Sequence, residues 1–245
     1  AMSTQVAGRT SSLVLSGPSS AVSGQTVTFT ATIAPAAATG RITFRDGATV
    51  LGTASLAAGR ATLSTAALAV GTHAITAAYA GDASYAASTA TAVSIRVAPA
   101  ATTVTLSANK TALLPGAPVT LTATVAVVAP GKGTPAGAVT FRDGAKVIGT
   151  AALTGGVATL STVPAPSGVH GLTASFAGSA TLAAASGATS VEVDPRLGAP
   201  VQVNTTKAGS QQHAAIATLA DGSSVVVWQS AGQDGSDLGV YGQRR

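Results

Sequence analysis

The sequence contains no cysteine, and of its 245 residues only 3% are aromatic and 9% charged. The absence of cysteine excludes disulfide bonds, thiol catalysis and cysteine-ligated zinc. The net charge of +5 does not indicate a nucleic-acid partner, because the cations are scattered and no aromatic side chains interleave with them as stacking platforms. No run of about 18 apolar residues is present, so we predict no membrane insertion.

The most informative feature that is present is an internal repeat. Phe44-Arg45-Asp46-Gly47 recurs 97 residues later as Phe141-Arg142-Asp143-Gly144. Upstream, Val27–Thr32 matches Val119–Thr124 at an offset of only 92 residues. The second copy therefore carries five extra residues, which lie within Val127–Gly137. This stretch is rich in glycine and proline, so the pattern predicts a tandem domain with one longer surface loop.

Each copy alternates apolar and polar residues with a period of two. Val27, Phe29, Ala31 and Ile33 share one strand face, and the Asp46-Gly47 pair is a hairpin signal. About seven such strands in under 90 residues predict an all-β fold, with two tandem immunoglobulin-like β-sandwiches. A short helix is possible over residues 66–70.

The predicted organisation has four parts. Residues 1–9 form a tag or disordered tail, residues 10–98 the first domain and residues 102–194 the second, with a brief linker around Pro99. Residues 201–245 form a partial β-repeat with three strands, similar to a propeller blade. The Ala1-Met2 start and the Arg244-Arg245 end are typical of a piece excised from a longer protein.

The repeat resembles the bacterial immunoglobulin-like domains that occur in arrays within large surface and secreted proteins. The residues that carry this resemblance are Ser23–Thr32, Gly40–Gly47, the Gly52-Thr53-Ala54 turn and Tyr79–Tyr85. The second copy departs from the pattern at Phe176–Ala180, where the aspartate and second tyrosine of the loop are missing. The resemblance implies an immunoglobulin-like fold and says almost nothing about a ligand.

The C-terminal segment has a different sequence style. It contains Ala220-Asp221-Gly222-Ser223, a valine-rich run around Trp228, and Gly232–Ser236. It resembles one unit of a repeat that recurs in long bacterial calcium-binding adhesin-like proteins. We interpret Trp228 as a core residue in preference to a sugar-binding platform.

Candidate chemistry is sparse. His73 and His170 occupy the same repeat position, but a catalytic base needs an oriented partner and a nucleophile, and we expect neither to recur beside both. Asp46 and Asp143 are interpreted as hairpin residues that bond their own backbone. We interpret His213 as a solvated residue in a polar turn.

Metal binding is predicted to be weak at most. Asp234 and Asp237 form the densest acidic spot and are weak calcium candidates, with Asp82 and the Glu192–Asp194 pair as further possibilities. Calcium requires about 6–8 oxygen ligands, and the eight acidic residues are spread over the whole chain. No other cofactor is predicted.

These observations together predict a structural spacer or stalk fragment of a bacterial cell-surface or secreted adhesin-like protein, without catalysis. The expected partners are neighbouring repeats of the same polypeptide and, through the full-length protein, a host or matrix ligand. Two alternatives stay open: a carbohydrate- or protein-binding module, and an accessory region of an extracellular enzyme.

Overall fold

The structure is a computed structural model that describes residues 8–164, 167–195, 203, 210–219, 223–232 and 237–244. Within these ranges the chain forms twenty β-strands and no α-helix, so no helix there could cross a membrane. The all-β prediction is confirmed.

The first domain contains nine strands in two sheets. The strands are β1 (Ser12–Ser16), β2 (Ser20–Val22), β3 (Val27–Ala34), β4 (Arg41–Asp46), β5 (Thr49–Ser55), β6 (Arg60–Thr65), β7 (Gly71–Tyr79), β8 (Ser88–Thr89) and β9 (Val93–Ala98). One sheet has the order β1-β3-β6 and the other β2-β9-β7-β4-β5, with β8 also paired to β7.

The second domain repeats this arrangement with eight strands. Its strands are β10 (Thr102–Ala108), β11 (Ala112–Leu113), β12 (Val119–Val127), β13 (Ala138–Asp143), β14 (Lys146–Ala152), β15 (Val157–Thr162), β16 (Gly168–Phe176) and β17 (Ala185–Val193). The sheet orders are β10-β12-β15 and β11-β17-β16-β13-β14. The single strand β17 takes the place of β8 and β9.

The two cores are built from the predicted alternation. Strand β3 buries every second residue, and its polar threonines face outward. Phe44 and Phe141 have no exposed surface. On the adjacent strands, Tyr79 lies opposite Ile42 and Phe176 lies opposite the equivalent residue Val139. Equivalent residues therefore fill equivalent core positions in both domains.

In each domain an early strand pairs with the last strand in parallel. Strand β2 lies beside β9, with Ala21 opposite Val97, and β11 lies beside β17, with Leu113 opposite Val193. The pairing extends past β2, because the backbone N–H of Ser23 donates to the Ala98 carbonyl at 2.8 Å. The beginning and the end of each domain are thereby joined edge to edge.

The helix predicted over residues 66–70 does not form. The Thr65 hydroxyl accepts a hydrogen bond from the Ala67 backbone at 3.1 Å, which fixes a turn at the end of β6. Leu68 is buried and packs into the first core. The burial of Leu68 and the hydrogen bond from Ala67 to Thr65 override the helical preference of this alanine-rich segment.

The linker predicted around Pro99 is not a free connector. Ala100 has no exposed surface and packs in the second core, and its N–H donates to the Thr181 carbonyl at 2.9 Å. Arg9, which the sequence assigns to a tail, makes the same contact in the first domain with the Ser84 carbonyl, at 2.8 Å. Residues 1–7 of that tail lie outside the described part of the chain.

Residues 196–245 are a separate compact unit. Its strands β18 (Gln211–Thr218), β19 (Ser224–Ala231) and β20 (Leu238–Arg244) form an antiparallel sheet in chain order. Trp228 is buried, in keeping with a core role, whereas Ile216, Leu238 and Val240 are exposed.

Candidate functional site

Each residue of the repeated Phe-Arg-Asp-Gly stretch has its own structural role. Phe44 fills the core, and the Arg45 guanidinium donates to the Ala48 carbonyl across the hairpin at 3.1 Å. Gly47 has a φ of 54°, a left-handed conformation that this hairpin turn requires. Asp46 then points at the neighbouring strand. The second domain repeats the arginine contact at 3.0 Å.

A histidine and an aspartate form a hydrogen-bonded pair in both domains. The His73 Nδ1 lies 2.6 Å from the Asp46 Oδ2, and the His170 Nδ1 lies 2.8 Å from the Asp143 Oδ2. The pairs arise because β4 and β7, like β13 and β16, are adjacent strands. The sequence expectation was therefore wrong on one point: an oriented carboxylate does recur beside both histidines, and it binds the imidazole instead of its own turn.

The described contacts of the other ring nitrogen, Nε2, differ between the two histidines. The His73 Nε2 lies 2.8 Å from the Ala69 carbonyl oxygen. Both nitrogens of His73 thus face acceptors, and only the doubly protonated imidazolium can donate to both. The hydrogen bond to the Ala69 carbonyl and the one to the Asp46 carboxylate raise the pKa of His73 above its ordinary value of 6.5.

In the second domain the structure describes one hydrogen bond to the imidazole, the one with Asp143. His170 is buried, and its Nε2 has no hydrogen-bond partner among the described residues. The residue equivalent to Ala69 is Pro166, which lies outside the described part of the chain together with Ala165. Near this end of the domain a cavity of about 140 Å³ is lined by Asp143, Lys146, Ile148, Thr162, Val163, Pro164 and Leu172.

The pair has the components of an acid–base dyad but not the required access. A catalytic histidine uses the nitrogen opposite its aspartate to take a proton from a nucleophile. In His73 that nitrogen is hydrogen-bonded to the Ala69 carbonyl, and in His170 it is buried. Neither imidazole is hydrogen-bonded to a hydroxyl among the described residues. The arrangement fixes the position of β7 against the hairpin, and that of β16 in the second domain.

The stability of the first domain should fall as the pH rises through the folded-state pKa of His73. Because that pKa lies above the unfolded value of about 6.5, the pair stabilises the folded state fully at lower pH and loses its contribution at higher pH. Denaturant unfolding followed by NMR signals of the first domain at several pH values measures this change.

The control for this experiment is Asp46→Asn, which keeps the side-chain shape and removes the charge. In this variant the pH dependence between mildly acidic and mildly alkaline conditions should be reduced. A wild-type domain that is equally stable on both sides of the transition would contradict the predicted contribution of the pair.

Asp82 organises the loop that follows strand β7 in the first domain. Its carboxylate accepts hydrogen bonds from the Thr39 backbone, the Thr39 hydroxyl and the backbones of Ser84 and Tyr85, at 2.8–2.9 Å. The backbone N–H of Thr39, followed by that of Ser84, holds the pKa of Asp82 well below its usual range. In the second domain the Ser179 hydroxyl replaces this carboxylate. Asp82 is thus engaged by its own loop, as a turn residue.

The predicted calcium candidates are not brought together by the described structure. Asp237 is exposed just before β20, and Asp234 lies outside the described residues. Glu192 is exposed on β17, and Asp194 follows that strand. Among the described residues no group of three or more histidine, aspartate or glutamate side chains could hold a metal ion. The Asp234–Asp237 site stays a prediction.

His213 of the C-terminal unit is exposed, as expected, but it lies in a strand and not in a turn. His213 lies within β18 at an irregularity of the pairing, with a φ of 52°, and its Nδ1 is 2.8 Å from the Gln229 Oε1. A cavity of about 230 Å³ in this unit is lined by Val203, Gln211, Gln212, Ala214, Val226 and Trp228. Its lining is mostly apolar and contains no acidic residue.

Comparison with known families identifies the repeated unit. Residues 13–98 and 104–194 match the bacterial Ig-like domain (group 3), so the match covers more than half of the chain. The chain belongs to this family. The resemblance and the fold class inferred from the repeat are both confirmed, and the two Ig-like domains are structural modules of an extracellular kind. A comparison with curated protein sequences found no match.

Several solved structures are similar to this chain at low sequence identity. The fibronectin(III)-like modules of Clostridium thermocellum CbhA are 17% identical, with a TM-score of 0.36, over 78% of this chain and all of theirs. A protein from Corynebacterium diphtheriae described as membrane anchored is 18% identical, with a TM-score of 0.37, over 91% of this chain and 64% of its own. A glycosyl hydrolase family 2 member from Bacteroides cellulosilyticus is 13% identical, with a TM-score of 0.29, over 70% of this chain and 23% of its own. These likenesses are too weak to carry function.

Proposed function

We propose that the two Ig-like domains are load-bearing spacers in a bacterial cell-surface or secreted adhesin-like protein, which hold its binding part away from the point of attachment. The observation that supports this is the parallel pairing of an early strand with the last strand in both domains. The proposed role requires no catalysis and no cofactor. Its partners are neighbouring repeats, and a host or matrix ligand would contact other parts of the protein.

The pairing matters because of the direction in which tension acts. In a parallel pair the upstream end of β2 and the downstream end of β9 lie at opposite ends of the paired stretch. Pulling the chain from both sides therefore slides the strands past each other and loads their hydrogen bonds together. An antiparallel pair pulled at one end opens its bonds one after another. The geometry of each Ig-like domain thus favours resistance to force.

The alternatives receive less support from the described residues. A carbohydrate- or protein-binding module would present aromatic side chains at one end. All the phenylalanines, tyrosines and the tryptophan lie in described positions, and none of them is exposed: Phe29, Phe44, Phe141, Phe176, Tyr79, Tyr85, Trp228 and Tyr241. An accessory region of an extracellular enzyme needs no catalytic group of its own, and flanking sequence would decide that alternative.

Single-molecule stretching of the full chain tests the proposal. Ala21→Pro removes an N–H from β2, and Leu113→Pro does the same in β11, so each variant weakens the pairing in one domain. We expect the altered domain to unfold about tenfold or more faster at a given force, because each 1.36 kcal/mol of barrier is a factor of ten. Forced unfolding depends on this barrier and not on equilibrium stability alone.

The matched control is Ile42→Ala, a core truncation in β4 that costs about 2–5 kcal/mol at equilibrium. Ile42 is fully buried and lies outside the parallel pair. It should lower the melting temperature but change the unfolding rate under force less than Ala21→Pro does. An equal effect of the two variants under force would refute the load-bearing role of the pairing.

A further inference from the structure

The longer loop of the second domain contacts the first domain. This loop, Val127–Gly137, is five residues longer than its counterpart, residues 35–40. The backbone N–H of Lys132 donates to the Ser23 carbonyl at 3.1 Å, and Ser23 is buried. The Ser23 N–H in turn donates to Ala98, the last residue of β9. The extra residues therefore touch the turn beside which the chain leaves the first domain.

The turn and the loop meet at a close approach. Gly24 has a φ of 75°, and a methyl group added there would lie 2.8 Å from both the Cβ and the carbonyl oxygen of Lys132. A methyl group this close to Lys132 would require the backbone to shift, so the contact tolerates only glycine at position 24. The two domains are therefore in direct contact at this turn.

The connecting residues are enclosed by the same loop. Val128 donates its N–H to the Ala101 carbonyl at 2.8 Å, and a methyl group on Gly131 would come within 2.5 Å of the Ala100 Cβ. On the other side, Val22 of the first domain packs against the second core. The connection between the domains is thus held from both sides and contains no free linker.

The second domain supplies an internal comparison for this contact. The turn equivalent to residues 22–24 is Leu114-Pro115-Gly116, and Gly116 has nearly the same φ, 79°. Leu114 is 42% exposed, and no described atom lies within 4 Å of a methyl group placed on Gly116. The turn therefore has the same shape where no described residue packs against its glycine. The docked state of the Gly24 turn is due to the longer loop.

We infer that the Val127–Gly137 loop is a docking element that locks the two Ig-like domains in one relative orientation. The inference rests on the proposed spacer function, since a spacer with a fixed joint transmits position as well as tension. The partner of the docking surface is the Val22–Gly24 turn, and the contact consists of one backbone hydrogen bond and close packing around glycine. No charged side-chain pair contributes to this contact.

Distance measurements between spin labels test the inference. The chain has no cysteine of its own, so Thr49→Cys and Lys146→Cys label equivalent exposed positions in the two domains without other changes. Pulsed electron resonance on the full chain should give a single narrow distance distribution. Replacing residues 127–137 by residues 35–40 should remove that peak and give a broad distribution.

A point variant keeps the test meaningful if the loop replacement impairs folding. Gly24→Ala should also broaden the distribution, because its methyl group collides with Lys132. The control Gly116→Ala introduces the same left-handed strain without a described neighbour and should leave the distribution narrow. NMR spectra of both domains show whether each variant is folded.

The possible outcomes are distinct. A broad distribution in the wild type, or a narrow and unshifted one in both the loop replacement and Gly24→Ala, would overturn the docking role. The spacer function is judged separately, because it depends on the unfolding rates of single domains under force. A flexible joint with mechanically resistant domains would thus reject only the inference made here.

Discussion

Replacing Phe44 by alanine should destabilise the first domain by about 3–5 kcal/mol, and Phe141→Ala should do the same to the second. Both rings are fully buried between the sheets, so each truncation leaves a cavity in one core. For a domain of roughly 100 residues, each 1 kcal/mol shifts the melting temperature by about 4–8 °C. The altered domain should therefore melt tens of degrees lower or be unfolded at room temperature.

The two domains can be followed separately in the full chain. Tyr79 and Tyr85 lie in the first domain, and the second contains neither tyrosine nor tryptophan. Tyrosine signals also contain Tyr241 of the C-terminal unit, so assigned NMR signals of each domain are used to follow the two separately. The control Val147→Ala removes apolar atoms from a side chain that is 48% exposed and should have little effect. An equal loss in both domains from either phenylalanine variant would show that the cores are not independent.

Gly187→Ala should destabilise the second domain by about 1–3 kcal/mol or more, the usual range for added atoms in a packed site. Gly187 lies on β17, and a methyl group there would come within 2.2 Å of the Val104 carbonyl oxygen on β10. Backbone cannot move aside as a flexible side chain can, so the upper end of this range is expected. Denaturant unfolding of the second domain measures the effect.

Gly171→Ala on the adjacent strand β16 is the matched control, because no described atom lies within 4 Å of its added methyl group. It should be neutral or slightly stabilising, since alanine restricts the unfolded chain. The first domain shows how the clash can be relieved. It has Ala90 at the equivalent position, and there the strand is interrupted between β8 and β9. Equal stability of the two glycine variants would contradict the close approach.

The repeat and its strands were predictable because they depend on local patterns. The constant offset between Phe44 and Phe141 identified equivalent core positions, and the alternation in Val27–Ile33 identified the buried face of β3. Residues 66–70 and Ala100 were mistaken for a helix and a linker. Their conformations depend on burial in a core and on hydrogen bonds to distant residues, and neither leaves a periodic signal in the sequence.

The His–Asp pairs were missed for a different reason. Asp46 before Gly47 has a sufficient local explanation as a turn residue, and a turn residue does not indicate a partner on another strand. The pair spans 27 residues in both copies. A histidine and an aspartate kept at the same spacing after duplication are a usable signal of contact. That no described residue binds the His170 Nε2, by contrast, could be found only from the structure.

The parallel pairing of β2 with β9 also constrains how the chain folds during synthesis. The first domain cannot complete its second sheet until β9 has been made, so its closure depends on contacts between distant residues, which is typically slow. The hairpins β4–β5 and β13–β14 share sequence and register, and each could pair with the wrong partner in a fully denatured chain. Synthesis from the N-terminus separates them in time, because residues 8–98 can close before Phe141 leaves the ribosome. Refolding of the whole chain from denaturant has no such order and exposes both hairpins to exchange at once.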